Sequence, residues 1–213
     1  MFTLTPEILQ KIIKIEDERA KVISDSINEV CPQYGIDSAD ILHEFLANVI
    51  HESGGFKCKS ENLNYSAKRL MQVWPTRFKT IEDAEKVAGS PMKLANLVYG
   101  GRKDLGNIQE ADGWLFRGSG FIQMTGRSNF VAFASYMRQK FNLSKPLDQW
   151  ADEVRNNDLW AIHSACYIFA ISMKLIDAAL ANNMTYIVKR INGGYIGMED
   201  RLKYYELCKL HIK

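Results

Sequence analysis

Two glutamates flank a glycine pair in the segment from Val49 to Ser66, VIHESGGFKCKSENLNYS. Glu52 precedes the glycines, and Glu61 follows nine residues later in a polar stretch. Two carboxyl groups, one protonated and one ionised, can hydrolyse a glycosidic bond, because the first protonates the leaving oxygen and the second activates water. Each glutamate by itself is more often an inert, solvated residue, so the chemistry depends on the elements that position the pair.

Glu52 continues the apolar stripe of a predicted helix that Gly54-Gly55 ends. A helix turns by about 100° per residue, so Glu52 falls within roughly 20° of Phe45, seven positions earlier. Partial burial and the C-terminal end of the helix dipole both favour the protonated form of a carboxyl group, as a general acid requires. Glu61 is predicted in a polar loop, where a carboxyl group stays ionised.

The residues that other kinds of catalytic site require are missing from the sequence. His51-Glu52 resembles the start of a zinc-protease HExxH motif, but Gly55 stands where the second histidine is needed. His43-Glu44 lacks it too, at Ala47. The four cysteines form no CxxC pair, and there is no GxSxG elbow, phosphate-binding loop or dinucleotide fingerprint. We therefore expect hydrolysis by paired carboxylates, with no metal and no organic cofactor.

Composition narrows the class of protein. The 213 residues are 46% hydrophobic and carry 27 Lys+Arg against 25 Asp+Glu, with the basic residues scattered, so nucleic-acid binding has little support. The longest apolar stretch, 159–175, is interrupted by polar residues and predicts a buried helix instead of a membrane span. The N-terminus MFTLTPEILQKIIKI has no secretory pattern, so we expect synthesis in the cytoplasm with reduced cysteines. Cys58, between the glutamates, is predicted to be packed.

The chain is predicted to be mainly α with little or no β structure. Capping signals and apolar spacing predict helices that cover most of the chain outside 102–126. Their predicted N-caps include either Asp37 or Ser38 for one helix and Ser66 for another. The segment 102–126 is glycine-rich, and its FIQMT core is predicted to be a short extended stretch. We predict one catalytic domain, 1–213, with a helical body (1–54 and 127–213) and a loop-rich lobe (about 55–126).

Four motifs occur in order: HESGGF, ENLNYS, FRGSGFIQMTGRSNF and INGGYIGMEDR. Together they resemble glycoside hydrolase family 19, and within it the phage endolysins that act on Gram-negative cell walls, over about Asp40 to Arg201. The resemblance implies a lysozyme-like, two-lobed helical fold with a substrate groove. It also implies an inverting mechanism, in which water displaces the leaving sugar in one step.

The resemblance implies a role for each matching residue. Glu52 matches the general acid, Glu61 the general base, and Thr125 the residue that holds the attacking water. Sugar contacts and support of the carboxylates fall to Gln123, Asn129, Asn192 and Arg201. Separately, Tyr65 offers an aromatic face that can stack on a sugar, although core packing explains such a residue equally well.

Three positions depart from the family pattern. Ser119 stands where many members have arginine, and Phe130 where many have tyrosine, so a groove charge and a hydroxyl are expected to be missing. Tyr195-Ile196 follow INGG where plant chitinases carry a glutamate, which argues against chitinase activity.

The expected function is therefore that of a bacteriolytic endolysin that cuts the glycan strands of bacterial peptidoglycan, at the lysozyme (muramidase) bond or the glucosaminidase bond, during lysis of the phage host. The alternatives are a chitinase of the same fold and an inactive wall-binding protein. We expect a monomer that reaches the wall in the periplasm after a separate holin-type protein permeabilises the membrane.

Overall fold

The computed structural model describes residues 2–213. Within this range the helices are α1 (Pro6–Ile12), α2 (Asp17–Val30), α3 (Ala39–Ser53), α4 (Ala67–Val73), α5 (Ile81–Glu85), α6 (Pro91–Tyr99), α7 (Asp112–Leu115), α8 (Arg127–Phe141), α9 (Leu147–Asn156), α10 (Asp158–Cys166), α11 (Ile176–Leu180), α12 (Met184–Asn192) and α13 (Met198–His211). Two 3₁₀ turns (Cys31–Tyr34 and Lys103–Leu105) and a π-helical turn (Tyr167–Ser172) complete the helical structure. In residues 2–213 the only β structure is isolated bridge residues. The predicted fold class, mainly α as in lysozyme-like proteins, is confirmed.

The chain divides into two compact units. Unit 1 contains the described residues up to Lys59, together with Ser119–Gln123 and Asp152–Lys213. Unit 2 contains Ser60–Gly118 and Met124–Ala151. Unit 2 therefore takes in α8, which the sequence interpretation assigned to the helical body, and the single catalytic domain stays a prediction.

Helix α3 is the centre of unit 1. The Ser38 side chain caps its N-terminus by accepting a hydrogen bond from the Ile41 amide (3.4 Å), as predicted. Every residue from Ile41 to Ile50 is buried, so α3 is enclosed on all sides over most of its length. Gly54 ends the helix with φ 60°, a left-handed conformation that glycine adopts without strain.

Helix α13 packs against α3 within unit 1. Tyr205 of α13 is buried beside Ala47, Met184 and Val188. The ring of His43, on α3, meets the Tyr205 ring edge-on at a centroid distance of 6.3 Å. This contact helps to fix the register between the helix that carries Glu52 and the helix that carries Arg201.

Unit 2 has its own core, built by short helices and the turns between them. Its buried residues are Leu63, Leu70, Phe78, Ala84, Leu94, Ala95 and Val98. Ser66 caps α4 by accepting a hydrogen bond from the Arg69 amide (3.3 Å), again as predicted. Arg127, at the start of α8, forms an ion pair with the buried Asp112 of α7 at 2.6 Å.

Two local predictions were wrong. The FIQMT segment is not extended: Phe121 to Gln123 form a turn, and Gln123 takes a positive φ of 44°. Cys58 is exposed and not packed. All four cysteines are free in the structure.

A test for membrane-spanning helices was negative. Across residues 2–213, no helix combines the length and the apolar character that crossing a bilayer demands.

Candidate active site

Glu52 lies in the last turn of α3, and its carboxylate is held by a buried arginine. The Arg201 side chain is fully buried, and its Nη2 donates to Glu52 Oε1. Arg201 Nη1 donates to Asn48 Oδ1 at 2.7 Å. The guanidinium therefore contacts two side chains that lie one helical turn apart on α3, which fixes the orientation of the Glu52 carboxylate.

The surroundings of Glu52 differ from those expected. Partial burial at the C-terminal end of a helix was the environment predicted from the sequence. The structure adds the guanidinium of Arg201, which donates a hydrogen bond to the Glu52 side chain. The Glu52 side chain is 20% exposed, and its Oε2 makes no hydrogen bond to any described residue. One oxygen is thus fixed to Arg201, while the other is available to a substrate.

His51 forms a second link between α3 and α13. Its Nδ1 lies 2.7 Å from Asp200 Oδ2. Gly197, which caps the N-terminus of α13, leaves room for the imidazole, because a Cβ there would collide with the His51 ring. Adjacent residues of α3 therefore contact adjacent residues of α13, and the helix end that bears Glu52 is tied down twice.

Glu61 lies in a non-helical segment of unit 2 and is held by neutral donors. The Tyr99 hydroxyl, from the last residue of α6, donates to Glu61 Oε1 at 2.7 Å. The Gly118 amide donates to Oε2 at 3.3 Å, and the Glu61 amide donates in turn to the Gly118 carbonyl at 2.9 Å. Burial, and next the charge of Glu61, raise the pKa of Tyr99, so its hydroxyl stays protonated and donating. Glu61 was predicted to lie in a polar loop, and it does lie outside any helix, where both of its carboxylate oxygens accept hydrogen bonds.

The predicted sugar-binding residues fall in both units. Gln123, in unit 1, is half-buried, and its Nε2 donates to the Gly120 carbonyl at 3.0 Å. Asn192 is exposed at the C-terminal end of α12. In unit 2, the exposed Asn129 donates from Nδ2 to the Thr125 carbonyl at 2.7 Å.

Tyr65 has a packing role in unit 2. Its ring meets the Trp74 ring edge-on at 5.5 Å, against the unit 2 core. It is only half-buried, so part of the residue remains accessible. Of the predicted site residues, direct hydrogen bonds join Glu52 to Arg201 and Asn129 to Thr125.

Two of the departures from the family pattern lie in the core. Ser119 is fully buried and accepts a hydrogen bond from Arg155 Nη1 at 3.0 Å. Phe130 is fully buried against Phe116, with ring centroids 5.4 Å apart. Both side chains therefore contribute to packing.

Sequence reasoning missed Asn48 and Tyr99. Asn48 had a detectable signal, because it is a polar residue one turn before Glu52 in the row of α3 side chains that reaches Glu52. Tyr99 had none, because it contacts Glu61 from 38 positions away. Across residues 2–213, no three His, Cys, Asp or Glu side chains are grouped as metal ligands would be.

Comparison with known proteins defines the class. No family model matches the chain. A glycosyl hydrolase family 19 domain-containing protein of Haemophilus influenzae (strain Rd) is 34% identical over 161 residues, which cover 76% of this chain and 74% of that protein. Two carboxyl groups held in a mainly helical fold agree with a glycoside hydrolase. The chain belongs to glycosyl hydrolase family 19.

Proposed function

We propose that this protein hydrolyses the glycan strands of bacterial peptidoglycan as a lysozyme-type endolysin, by an inverting acid–base mechanism. One observation carries the proposal: the two carboxyl groups that flank the glycine pair are each held by specific donors. Arg201 binds Glu52, while Tyr99 and Gly118 bind Glu61. Orienting a long side chain costs entropy, and these donors offset that cost for both carboxylates.

In the proposed mechanism Glu52 is the general acid. Its Oε2, which makes no hydrogen bond within the described part of the chain, carries the proton that passes to the leaving glycosidic oxygen. Negative charge then develops on Glu52, and the guanidinium of Arg201 is already oriented to stabilise it.

Glu61 is the proposed general base. It takes a proton from a water molecule that the Thr125 hydroxyl orients, and this water attacks the anomeric carbon. The Tyr99 and Gly118 donors keep the Glu61 carboxylate in one orientation during the step. Amide side chains suit N-acetyl and hydroxyl groups, because they donate and accept hydrogen bonds. We therefore assign sugar contacts to Gln123, Asn129 and Asn192, and stacking to Tyr65.

The choice of peptidoglycan over chitin rests on Tyr195 and Ile196, which occupy the place of the plant-type glutamate and are both exposed. We further propose that the enzyme is a monomer that works in the periplasm once a separate holin-type protein opens the membrane. Expression with and without such a protein, followed by culture turbidity, tests that part.

The catalytic roles are tested with Glu52→Gln and Glu61→Gln on two substrates. On peptidoglycan both variants should lose about 10²- to 10⁴-fold in kcat, the usual contribution of general acid–base catalysis. On an aryl glycoside, whose leaving group needs no proton, Glu52→Gln should keep much of its activity and Glu61→Gln should not. Glu85→Gln, at an exposed glutamate of α5, is the matched control.

Product analysis decides the substrate. Mass spectrometry of digested sacculi should find N-acetylmuramic acid at the new reducing end. Undiminished lysis of permeabilised cells by Glu52→Gln would contradict the mechanism. Release of sugar from chitin but not from sacculi would indicate a chitinase, and binding to sacculi without new reducing ends would indicate an inactive wall-binding protein.

A further inference from the structure

A cavity lies in unit 1, and its lining includes the segment that follows the proposed acid. It has a volume of about 570 Å³ and is lined by residues of two chain segments, 14–19 and 55–59. Its charged lining residues are Lys14, Glu16, Arg19, Lys57 and Lys59. The first lining residue of the second segment, Gly55, is three positions after Glu52.

Two of the lining cations are held rigidly. Asp158, at the start of α10, forms ion pairs with both Arg19 and Lys59, the latter at 2.6 Å. Arg19 also donates from Nη2 to the Phe56 carbonyl at 2.7 Å. One carboxylate is thus shared between two cations, which leaves positive charge uncompensated at this wall.

The other two cations are free. Lys14 and Lys57 are exposed, and neither forms an ion pair with any described residue. Glu16 is the one acidic residue in the lining. Counting Asp158 behind the wall, four cations face two carboxylates, so the cavity has an excess of positive charge and two unpaired ammonium groups.

The turn that presents Lys57 has an unusual backbone. Gly54, Gly55 and Phe56 have φ values of 60°, 77° and 62°. A positive φ is costly for phenylalanine, and two contacts maintain it here. The Phe56 side chain is fully buried, with its ring centroid 5.2 Å from that of Phe121. The Phe56 amide donates a hydrogen bond to Ser53 Oγ at 2.8 Å. The direction of the chain into Lys57 and Lys59 is therefore fixed by the core.

We infer that this cavity binds the carboxylates of the peptide stems on peptidoglycan. The inference rests on the proposed function and extends it to substrate choice. Peptidoglycan carries stem peptides with free carboxylates, whereas chitin is uncharged. A pair of cations held by Asp158, with two exposed ammonium groups in the same lining, can bind such carboxylates through charge-assisted hydrogen bonds. The site would thus favour peptidoglycan over chitin.

The experiment measures binding, so that it does not depend on catalysis. In a Glu52→Gln background, Lys14→Gln/Lys57→Gln should weaken cosedimentation with intact sacculi about tenfold at low salt, because two exposed charge contacts are lost. Binding to sacculi from which an amidase has removed the stem peptides should be unchanged. Glu16→Gln, which removes the lining carboxylate, should strengthen binding to intact sacculi about twofold. Salt should reduce these differences through screening.

Lys79→Gln/Lys140→Gln is the matched control, since it removes two exposed lysines from unit 2. An equal loss of binding to intact sacculi in this control would show that only the net charge of the protein matters, and it would overturn the inference. So would unchanged binding of the Lys14/Lys57 variant, or an equal loss on peptide-free sacculi. A failure of the proposed function would look different from a failure of this inference, because the unsubstituted enzyme would then produce no new reducing ends from sacculi.

Discussion

The two carboxylates differ in what holds them. Glu52 lies in the last turn of α3, a helix that is enclosed over most of its length, and its partner is a fully buried guanidinium. Glu61 lies outside any helix, and its partners are a phenol and a backbone amide. A formal positive charge beside a proton donor stabilises the anion left behind, whereas neutral donors orient a base without a formal opposing charge. The difference therefore matches the acid and base roles that we propose.

Removing the guanidinium of Arg201 should change stability and activity more than any other substitution considered below. Arg201→Met leaves Glu52 without its cation and Asn48 without its donor, and we expect a loss of about 3 kcal/mol in unfolding free energy. Activity should fall as well, because the developing charge on Glu52 loses its partner. Chemical denaturation and steady-state kinetics measure the two losses.

Arg201→Lys separates charge from geometry. Lysine keeps the charge but cannot bind Asn48 and Glu52 through two nitrogens of one planar group. It should recover part of the stability and little of kcat. Full recovery of kcat by lysine would show that charge alone matters, and wild-type stability of the methionine variant would contradict the role of the pair.

Glu44 contrasts with both Glu52 and Glu61. It lies on α3, two turns before Glu52. It is fully buried, and neither carboxylate oxygen has a hydrogen-bond partner among the described residues. Burial raises the pKa of Glu44 from 4.5 to about 7. Between these values the unfolded chain releases the proton and the folded chain keeps it, so stability falls as pH rises through this window.

The free energy of unfolding should fall by about 3 kcal/mol between pH 4.5 and pH 8 through this group, and Glu44→Gln should abolish this part of the pH dependence. The difference between variant and wild type is the quantity to measure. His43 titrates nearby with the opposite sign, since burial lowers the pKa of His43, and the subtraction removes its contribution. Urea unfolding at several pH values provides the data; parallel curves for the two proteins would contradict the assignment.

The local parts of this architecture were predictable from the sequence, and the long-range parts were not. Ser38, Ser66 and Gly54 were identified as caps or stops because capping depends on residues within a few positions. The helical phase of Glu52 followed from periodicity in the same way. Helix α9 was missed, although the spacing of Trp150, Ala151 and Val154, all buried, was a usable signal.

Other features needed the tertiary structure. The turn at Gln123 depends on the fold around it, and apolar composition misled the interpretation of its segment. The burial of Glu44 follows from helices that enclose α3 on sides that an amphipathic pattern assigns to solvent. The Tyr99–Glu61 bond joins residues 38 positions apart, and the Arg201–Glu52 bond joins residues 149 apart. The sequence therefore predicted the acid and base candidates but not the groups that hold the base.

Tyr99→Phe should have the smallest effect and provides the sharpest test of the Glu61 side. The ring remains, so the packing of α6 should be unchanged, but Glu61 Oε1 loses its donor. Oε2 still accepts from the Gly118 amide, so the carboxylate keeps one of its two contacts.

We expect kcat to fall about tenfold, the value of one neutral hydrogen bond, with KM nearly constant. Tyr186→Phe, which removes the hydroxyl of an exposed tyrosine on α12 outside the proposed site, is the control. An unchanged kcat in Tyr99→Phe would mean that the backbone alone orients Glu61. An increase in KM without a change in kcat would instead place Tyr99 among the residues that bind sugar, and the contrast between a charge-held acid and a neutrally held base would then rest on Arg201 alone.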